Sequence, residues 1–199
     1  MLRRIGPIAL LALHAASCAS PSLTFYALGA SAPQTTGEPR PVALRAMPTV
    51  IELTRVTLPD YLDTQDILVR RGSVLDSSHT GRWASRLSLG STELLAARLS
   101  QARPDALVTD QPQTSTPTYR LVVNISRLDI AAGPASSPTG TGTLEADWLI
   151  VPRDAARPTL RDRVRLAVAG PVGSDQDVVS LETMLLSRLA DAIDIARLR

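Results

Sequence analysis

Four stretches of the chain alternate apolar and polar residues, which is the pattern of β-strands with one buried and one solvated face. They span residues 49–58, 119–131, 143–153 and 162–170. The last three follow one another with only loops between them, so they are predicted to form an antiparallel meander with one wet face. Further short strands are predicted at residues 22–30, 67–78 and 105–109, the middle one hinged near Gly72.

The same alternation identifies the side of the meander that faces the core. The residues predicted to point inward are Leu121, Val123, Ile125, Leu144, Ala146, Trp148, Ile150, Val164, Leu166 and Val168. In the first of these strands the phase slips at Leu128 and Ile130, which indicates either a β-bulge or covering of the strand on both faces.

Two segments follow the helical period instead. The first spans residues 87–104, with Ser88 or Ser91 as its N-cap and Pro104 as its stop. The second spans residues 175–199 and has an apolar stripe that is expected to pack on the sheet. The stripe consists of Val178, Leu181, Leu185, Leu189, Ala192 and Ala196, and the opposite polar side carries Glu182, Ser187, Arg188, Asp191 and Asp194.

The order of these elements is strands, a helix, a strand meander and a second helix. This order predicts an α/β fold in which two main helices pack on a mixed β-sheet with an antiparallel meander. A chain of 199 residues is long enough for one domain with its own core and short for two. Residues 49–199 are therefore predicted to form a single layered domain.

The first seventeen residues have the three-part plan of a secretory signal peptide. Arg3 and Arg4 make the start positive, the apolar run IGPIALLALHAA follows, and small residues lead up to Cys18. The apolar run is shorter than the roughly 20 residues that a membrane-spanning helix needs. Residues 1–17 are predicted to be a lipoprotein signal peptide, and residues 18–48 a lipid-anchored N-terminal strand and linker.

Cys18 is the only cysteine, and the residues AAS in front of it resemble a bacterial lipobox with Ala15 in place of the usual leucine. In such a signal the cysteine receives fatty acyl chains, such as palmitate, on its sulfur and its new amino group. Ordinary cleavage, the alternative, leaves a free thiol, which is unfavourable in an oxidising compartment. Lipidation of Cys18 is therefore predicted, and Ala19 in place of aspartate indicates sorting to the outer membrane.

The charge balance argues against a nucleic-acid partner. Arginine supplies all 21 basic residues and the formal net charge is +2. Arg3 and Arg4 account for this excess, so the chain without its signal peptide has equal numbers of basic and acidic side chains. It also lacks an arginine cluster interleaved with aromatic residues, which is the electrostatic footprint of a nucleic-acid-binding protein.

Residue types that carry catalysis or bind metals are sparse. His79 is the only histidine after the signal peptide, and Asp76 and several serines lie near it in the sequence. No serine lies in a Gly-x-Ser-x-Gly motif, and one histidine with one cysteine is too few for a zinc site. No enzyme activity, metal or cofactor is predicted. The alternative hypothesis is a small envelope hydrolase that uses a serine and His79.

Trp83, which follows Arg82 between a predicted strand and a predicted helix, admits two interpretations. The indole can fasten this segment onto the core, with its N–H donating to a carbonyl. Alternatively, the two side chains form an exposed anchor for a partner protein, since both residue types are frequent at interface hot spots. Arg82, Trp83 and Tyr61 are the candidate partner-interface residues.

Several of these elements together resemble the ABC-type transport auxiliary lipoproteins, the PqiC/YmbA-like group. The resemblance rests on the lipobox and on motifs in the expected order, namely FYALGA, VTLPDYLDTQDILVRRG, RWASRL and LEADWLIV, followed by the C-terminal helix. It extends over essentially the whole chain after the signal peptide. Arg86 departs from the pattern, because the family often has proline at this position.

The resemblance implies a mixed α/β domain tethered to the outer membrane and facing the periplasm. It implies a non-catalytic docking or conduit subunit that acts with an inner-membrane ABC permease and ATPase and with an MCE-domain protein. Such systems move lipids or other hydrophobic molecules between the two membranes, and the subunit can be a homo-oligomer. The alternative is an envelope lipoprotein that scaffolds a different cell-envelope complex.

Overall fold

The computed structural model describes residues 22–29, 49–113, 116–134 and 137–198. The predicted signal peptide, Cys18 and residues 30–48 of the predicted linker lie outside these ranges. The strands are β1 (Thr24–Tyr26), β2 (Val50–Leu53), β3 (Asp66–Arg71), β4 (Val74–Trp83), β5 (Leu107–Thr109), β6 (Tyr119–Ala132), β7 (Thr139–Pro152) and β8 (Leu160–Pro171). The helices are α1 (Leu87–Ala102) and α2 (Asp175–Ala192), and a 3-10 turn follows at Ile195–Arg197.

Strand β6 is the centre of one mixed sheet. Strand β7 pairs antiparallel with one edge of β6 along its length, and β8 completes the meander. On the other edge, β2 pairs in parallel with the start of β6 and β3 with its end, so the sheet divides into two branches. Strand β5 extends the first branch, and β4 followed by β1 extends the second. The predicted α/β class, with a mixed sheet, an antiparallel meander and two helices in a single domain, is confirmed.

The phase slip predicted in β6 is a β-bulge. The register with β7 shifts between Ile125 and Arg127, so Ile125 before the bulge and Leu128 and Ile130 after it are all buried. The inward-facing residues predicted for β6 and β7 are buried as expected. On the edge strand β8, Val164 and Leu166 are only partly buried, because an edge strand has a neighbour on one side only.

The opposite face of the meander carries charged side chains in contact with solvent, as predicted. Glu145 on β7 lies between two arginines, with its Oε1 3.1 Å from Nε of Arg165 and 3.9 Å from Nη1 of Arg127. Asp147, two residues further along β7, accepts a hydrogen bond of 3.0 Å from Asn124. Cross-strand pairs of this kind stabilise a sheet while they keep its outer face soluble.

Helix α2 begins with a capping box in which Ser174 and Asp177 each accept a hydrogen bond from the other's backbone N–H. The helix is covered by the meander, by α1 and by the β3–β4 hairpin. Its buried face is therefore wider than the predicted stripe and includes Val179, Leu186 and Glu182. The expectation that Glu182 lies on the polar side of the helix is wrong, because the hairpin and α1 cover that side as well.

Helix α1 is capped differently from the prediction. Its N-cap is Arg86, which makes no side-chain cap, while Ser88 and Ser91 are buried within the helix. The capping acceptor is instead Asp63, whose Oδ1 receives the backbone N–H of Ser88 over 3.1 Å. Although burial opposes it, hydrogen bonding to Ser88 and the nearby Arg55 and Arg86 keep the pKa of Asp63 below its usual value.

Several element boundaries differ from the sequence prediction. Strand β2 covers only the start of residues 49–58, and Thr57 rejoins the sheet through an isolated bridge to Asn124. Strand β4 continues to Trp83, so residues 77–83 are strand. Helix α2 ends at Ala192, and the chain after it is held by Arg103, which donates 2.6 and 3.0 Å hydrogen bonds to carbonyls of the last turn.

Candidate functional site

Trp83 lies in the core with 2% of its surface exposed. Its backbone N–H donates to the carbonyl of Gln65 over 2.7 Å, which ties the end of β4 to the turn before β3. Of the two interpretations, the burial fits the one in which the indole fastens this segment onto the core. An exposed indole at a partner interface does not fit, because almost none of the ring is accessible.

Arg82 stabilises an irregular part of β4. In the pairing of β3 with β4, Asp66 is opposite Arg82 and Leu68 is opposite Ser77. Residues 78–81 of β4 therefore form a bulge between these two pairs. The guanidinium of Arg82 binds the carbonyls of Ser78 and Gly81 and lies 3.1 Å from the carboxylate of Asp66. The side chain of Arg82 is 28% exposed, and its Nε and Nη1 are engaged by β3 and by its own strand.

The bulge also docks onto the first turn of α2. The hydroxyl groups of Ser78 and Thr80 donate to Oδ2 of Asp175 over 2.8 and 3.0 Å. Gly81 allows this approach, because a Cβ atom there would lie 2.4 Å from the same oxygen. Helix N-termini favour negative charge, so Asp175 serves both the helix and the bulge.

His79 does not engage these groups. Its side chain is exposed on the rim of an open groove of about 950 Å³ beside the bulge, and it makes no hydrogen bond within the described ranges. The hydroxyl of the adjacent Ser78 is directed to Asp175 instead. A serine and a histidine that act as nucleophile and base must be within hydrogen-bonding reach of each other, and this pair is not brought together.

Tyr61 is the candidate interface residue that the structure leaves open to solvent, with 46% of its surface exposed. It lies in the turn before β3, and its phenol is next to the guanidinium of Arg70. Hydrogen bonding to Asp129 raises the pKa of Arg70, and Tyr61 adds a smaller effect in the same direction, against the opposing effect of burial. Tyr61 is thus the exposed end of a charged cluster.

The centre of this cluster is Asp129 on β6, of which only 5% is exposed. Its Oδ1 receives a 2.9 Å hydrogen bond from Arg70, and its Oδ2 receives one of the same length from Arg127. Two guanidinium partners compensate the removal of the carboxylate from water, which is the condition under which a buried charge is tolerated.

Glu182 of α2 lies below the cluster without such compensation. Burial raises the pKa of its carboxyl group to about 8, and its Oε2 has no hydrogen-bond partner among the described residues. Nε of Arg70 is likewise buried and unpartnered there. Both side chains line the same enclosed space of about 10 Å³, together with Trp83, Leu87 and Leu62.

This space can contain about one water molecule and is too small for an organic substrate. Two buried polar atoms on its wall, one a donor and one an acceptor, are the partners that a buried water needs. Within the described ranges no three histidine, cysteine, aspartate or glutamate side chains come together as metal ligands. The arrangement can hold a proton and orient side chains, and it joins an exposed tyrosine to the core.

Comparison with known protein families identifies the family of this chain. The model of the family described as ABC-type transport auxiliary lipoprotein component matches residues 26–194. This match spans most of the chain, from the end of β1 to the end of α2. The chain belongs to this family. A search of the curated proteins found no match.

Solved structures agree with the fold of this auxiliary lipoprotein. One, an uncharacterised protein, superposes with a TM-score of 0.63 at 17% identity, covering 86% of this chain and 96% of its own. Another, from Xanthomonas campestris and assigned to the DUF330 family, superposes with a TM-score of 0.55 at 14% identity, covering 73% and 80%. At such low identities these similarities describe the fold and nothing further.

Four charged members of the cluster in this auxiliary lipoprotein were not predicted from the sequence as site residues, namely Arg70, Arg127, Asp129 and Glu182. A usable signal was present for two of them. Asp129 lies between Leu128 and Ile130, and Glu182 lies among leucines and valines of the second helix. Charged side chains are almost never fully buried unless they are paired, so a local reading expects both residues to be exposed, and their burial depends on the tertiary structure.

Within the described ranges, no helix of this auxiliary lipoprotein combines the length and the apolar composition needed to cross a membrane. The family description makes this chain an auxiliary lipoprotein component of ABC-type transport.

Proposed function

We propose that this protein is anchored by its acylated Cys18 to the outer membrane, faces the periplasm, and acts as a non-catalytic docking or conduit subunit. Its partners in this proposal are an MCE-domain protein and an inner-membrane ABC permease with its ATPase. The system would carry lipids or other hydrophobic molecules between the two membranes.

The observation that carries the proposal is the family match over residues 26–194, which defines an auxiliary lipoprotein of ABC-type transport. The sequence in front of the match supports the anchor, because the charged start, apolar run and small residues before Cys18 form a lipoprotein signal. More than one acyl chain gives durable attachment to a membrane.

The geometry of the charged cluster supports a role without catalysis. Glu182, whose raised pKa would suit proton transfer, is enclosed in a space for about one water molecule. A substrate therefore has no access to the carboxyl group in this structure. The hydroxyl of Ser78 and the guanidinium of Arg82 are committed to structural contacts.

The anchor is tested by the substitution Cys18→Ala in the full-length chain. We expect the wild type to fractionate with outer membranes and to incorporate labelled palmitate, and the variant to lose both properties. A variant that is processed and still fractionates with outer membranes contradicts the anchor. The partner is tested by cross-linking and co-purification of the acylated protein with a candidate MCE-domain protein.

A second function, the scaffolding of a different envelope complex, uses the same anchor and the same exposed Tyr61. The two functions differ in what a deletion strain shows. Loss of a transport subunit is expected to change lipid composition or solvent sensitivity, while loss of a scaffold leaves both unchanged and removes another complex. Co-purification with that complex, and not with an MCE-domain protein, would favour the scaffold.

A further inference from the structure

Strand β1 and the residue before it expose two large apolar side chains that the described part of the fold does not cover. Phe25, the only phenylalanine in the chain, is 62% exposed, and Leu23 is 47% exposed. They are two residues apart along an extended segment, so they project from the same face. Apolar side chains displayed together at one place mark a surface that contacts something other than water.

The surroundings of these side chains do not cover them. Among the described residues, strand β1 is the end strand of its branch and pairs only with β4. Phe25 is in register with Arg82, so the two side chains are neighbours on one face of the sheet. Because the guanidinium of Arg82 is held by Asp66 and by the bulge, it is not free to cover the ring of Phe25.

The position of β1 in the chain identifies the surface that these residues meet. Cys18 lies five residues before Leu23, and five residues span at most about 18 Å when fully extended. Acyl chains on Cys18, which the proposed function requires, are embedded in the bilayer. Leu23 is therefore kept within about 18 Å of the membrane and the start of β1 within about 22 Å, closer than any other described element by chain connectivity.

We infer that β1 lies directly against the phospholipid surface, with Leu23 and Phe25 in the boundary between headgroups and acyl chains. This inference rests on the proposed anchor at Cys18. The acyl chains already supply the affinity for the membrane, so the contact of β1 determines the orientation of the domain. It holds the β1 edge of the sheet on the bilayer.

This orientation directs the opposite edge of the sheet towards the periplasm. The strand order from β1 runs through β4, β3, β6 and β7 to β8. Five strand spacings separate the two edges, which is about 24 Å. Leu160 at the start of β8 is 44% exposed, similar to Leu23, and provides a matched control on the far edge.

The test uses the mature acylated protein reconstituted in vesicles of phosphatidylethanolamine and phosphatidylglycerol with brominated acyl chains, which quench indole fluorescence on contact. The variants Phe25→Trp and Leu160→Trp each add one indole to the two buried tryptophans of the wild type. We expect the added emission of Phe25→Trp to fall about twofold relative to non-brominated vesicles, as for a side chain in the interface. The added emission of Leu160→Trp should be unchanged, and Leu23→Trp should repeat the result on β1.

The outcomes separate this inference from the proposed function. Mass spectrometry of the reconstituted protein shows whether Cys18 carries acyl chains, and their absence overturns the anchor and the inference together. Acylated protein whose emission at position 25 is unquenched overturns the inference alone. A blue shift without quenching also overturns it, because a protein or a second copy then covers β1. Equal quenching of Phe25→Trp and Leu160→Trp overturns the fixed orientation.

Discussion

Nε of Arg70 and Oε2 of Glu182 border the same enclosed space, and neither atom has a hydrogen-bond partner among the described residues. A different nitrogen of the Arg70 guanidinium, Nη2, donates a hydrogen bond to Oδ1 of Asp129. The enclosed space has about the volume of one water molecule. Arg70 is thus paired with the carboxylate of Asp129, while Glu182 beside it has no paired charge.

The first prediction concerns the pH dependence of stability. Burial raises the pKa of Glu182 to about 8 in the folded state, while an unfolded glutamate titrates near about 4.3. Between these values the folded state binds more protons than the unfolded state, so the free energy of unfolding falls as pH rises. Between about pH 5 and about pH 8 we expect the free energy of unfolding to fall by roughly 4 kcal/mol because of this group, measured by urea unfolding.

The substitution Glu182→Gln removes this titration and keeps the shape of the side chain. The variant is therefore expected to gain stability over the wild type as pH rises, whereas Glu93→Gln, at an exposed position of α1, should leave the pH profile unchanged. If the free energy of unfolding depends on pH in the same way for the wild type and for Glu182→Gln, Glu182 stays ionised in the folded protein and the prediction is wrong.

The second prediction concerns the centre of the cluster. Asp129→Ala removes the acceptor for both Arg70 and Arg127 and leaves a partly buried guanidinium uncompensated. We expect a loss of about 3 kcal/mol in the free energy of unfolding. Asp76→Ala, which breaks an exposed bridge of similar length to Arg71, should cost less than about 1 kcal/mol. Similar losses in both variants would mean that burial does not strengthen the Asp129 pairs.

The meander shows why much of this fold was predictable from the sequence. Side chains of β7 alternate between core and solvent because the strand has one face against α2 and the other in water. The same local rule located the bulge of β6, since Leu128 is out of phase with Ile125 by an odd number of residues. Each of these predictions depends on neighbours in the chain and on one solvent boundary.

The candidate site was not predictable in this way. Glu182 has a helical position that looks solvent-facing until the β3–β4 hairpin and α1 cover it, and those contacts come from distant segments. Similarly, Asp63 caps α1 from a turn more than twenty residues earlier, where a local rule favoured Ser88. Burial of Trp83 also depends on long-range packing, because Arg82 and Ser85 beside it in the sequence do not indicate a buried segment.

The third prediction concerns the contact between β4 and α2. A Cβ atom at Gly81 would lie 2.4 Å from Oδ2 of Asp175. Gly81→Ala therefore displaces that carboxylate from Ser78 and Thr80, and we expect a loss of about 1–2 kcal/mol by thermal or urea unfolding. Gly173→Ala is a control, because its nearest atom, Oδ2 of Asp177, lies 3.8 Å away at ordinary contact distance.

A double variant distinguishes this collision from a general effect of alanine. Because Asp175→Ala already removes the carboxylate, adding Gly81→Ala to it should cost little more. The two changes are then non-additive, as expected for residues in direct contact. Additive losses would indicate that the bulge is destabilised by alanine independently of Asp175.

The last prediction separates the candidate interface residues by their burial. Tyr61→Ala removes an exposed ring, so we expect a small change in stability and about a tenfold weaker association with the partner, as for an aromatic contact at an interface. Trp83→Ala should instead cost about 3–5 kcal/mol of stability, because it leaves a cavity in the core. Val74→Ala, at a residue of comparable exposure in the β3–β4 turn, is the control for association. If the Tyr61→Ala variant folds normally and still co-purifies with the partner at the wild-type level, Tyr61 is excluded from the interface. The substitution changes the exposed surface at this position and leaves the rest of the fold intact.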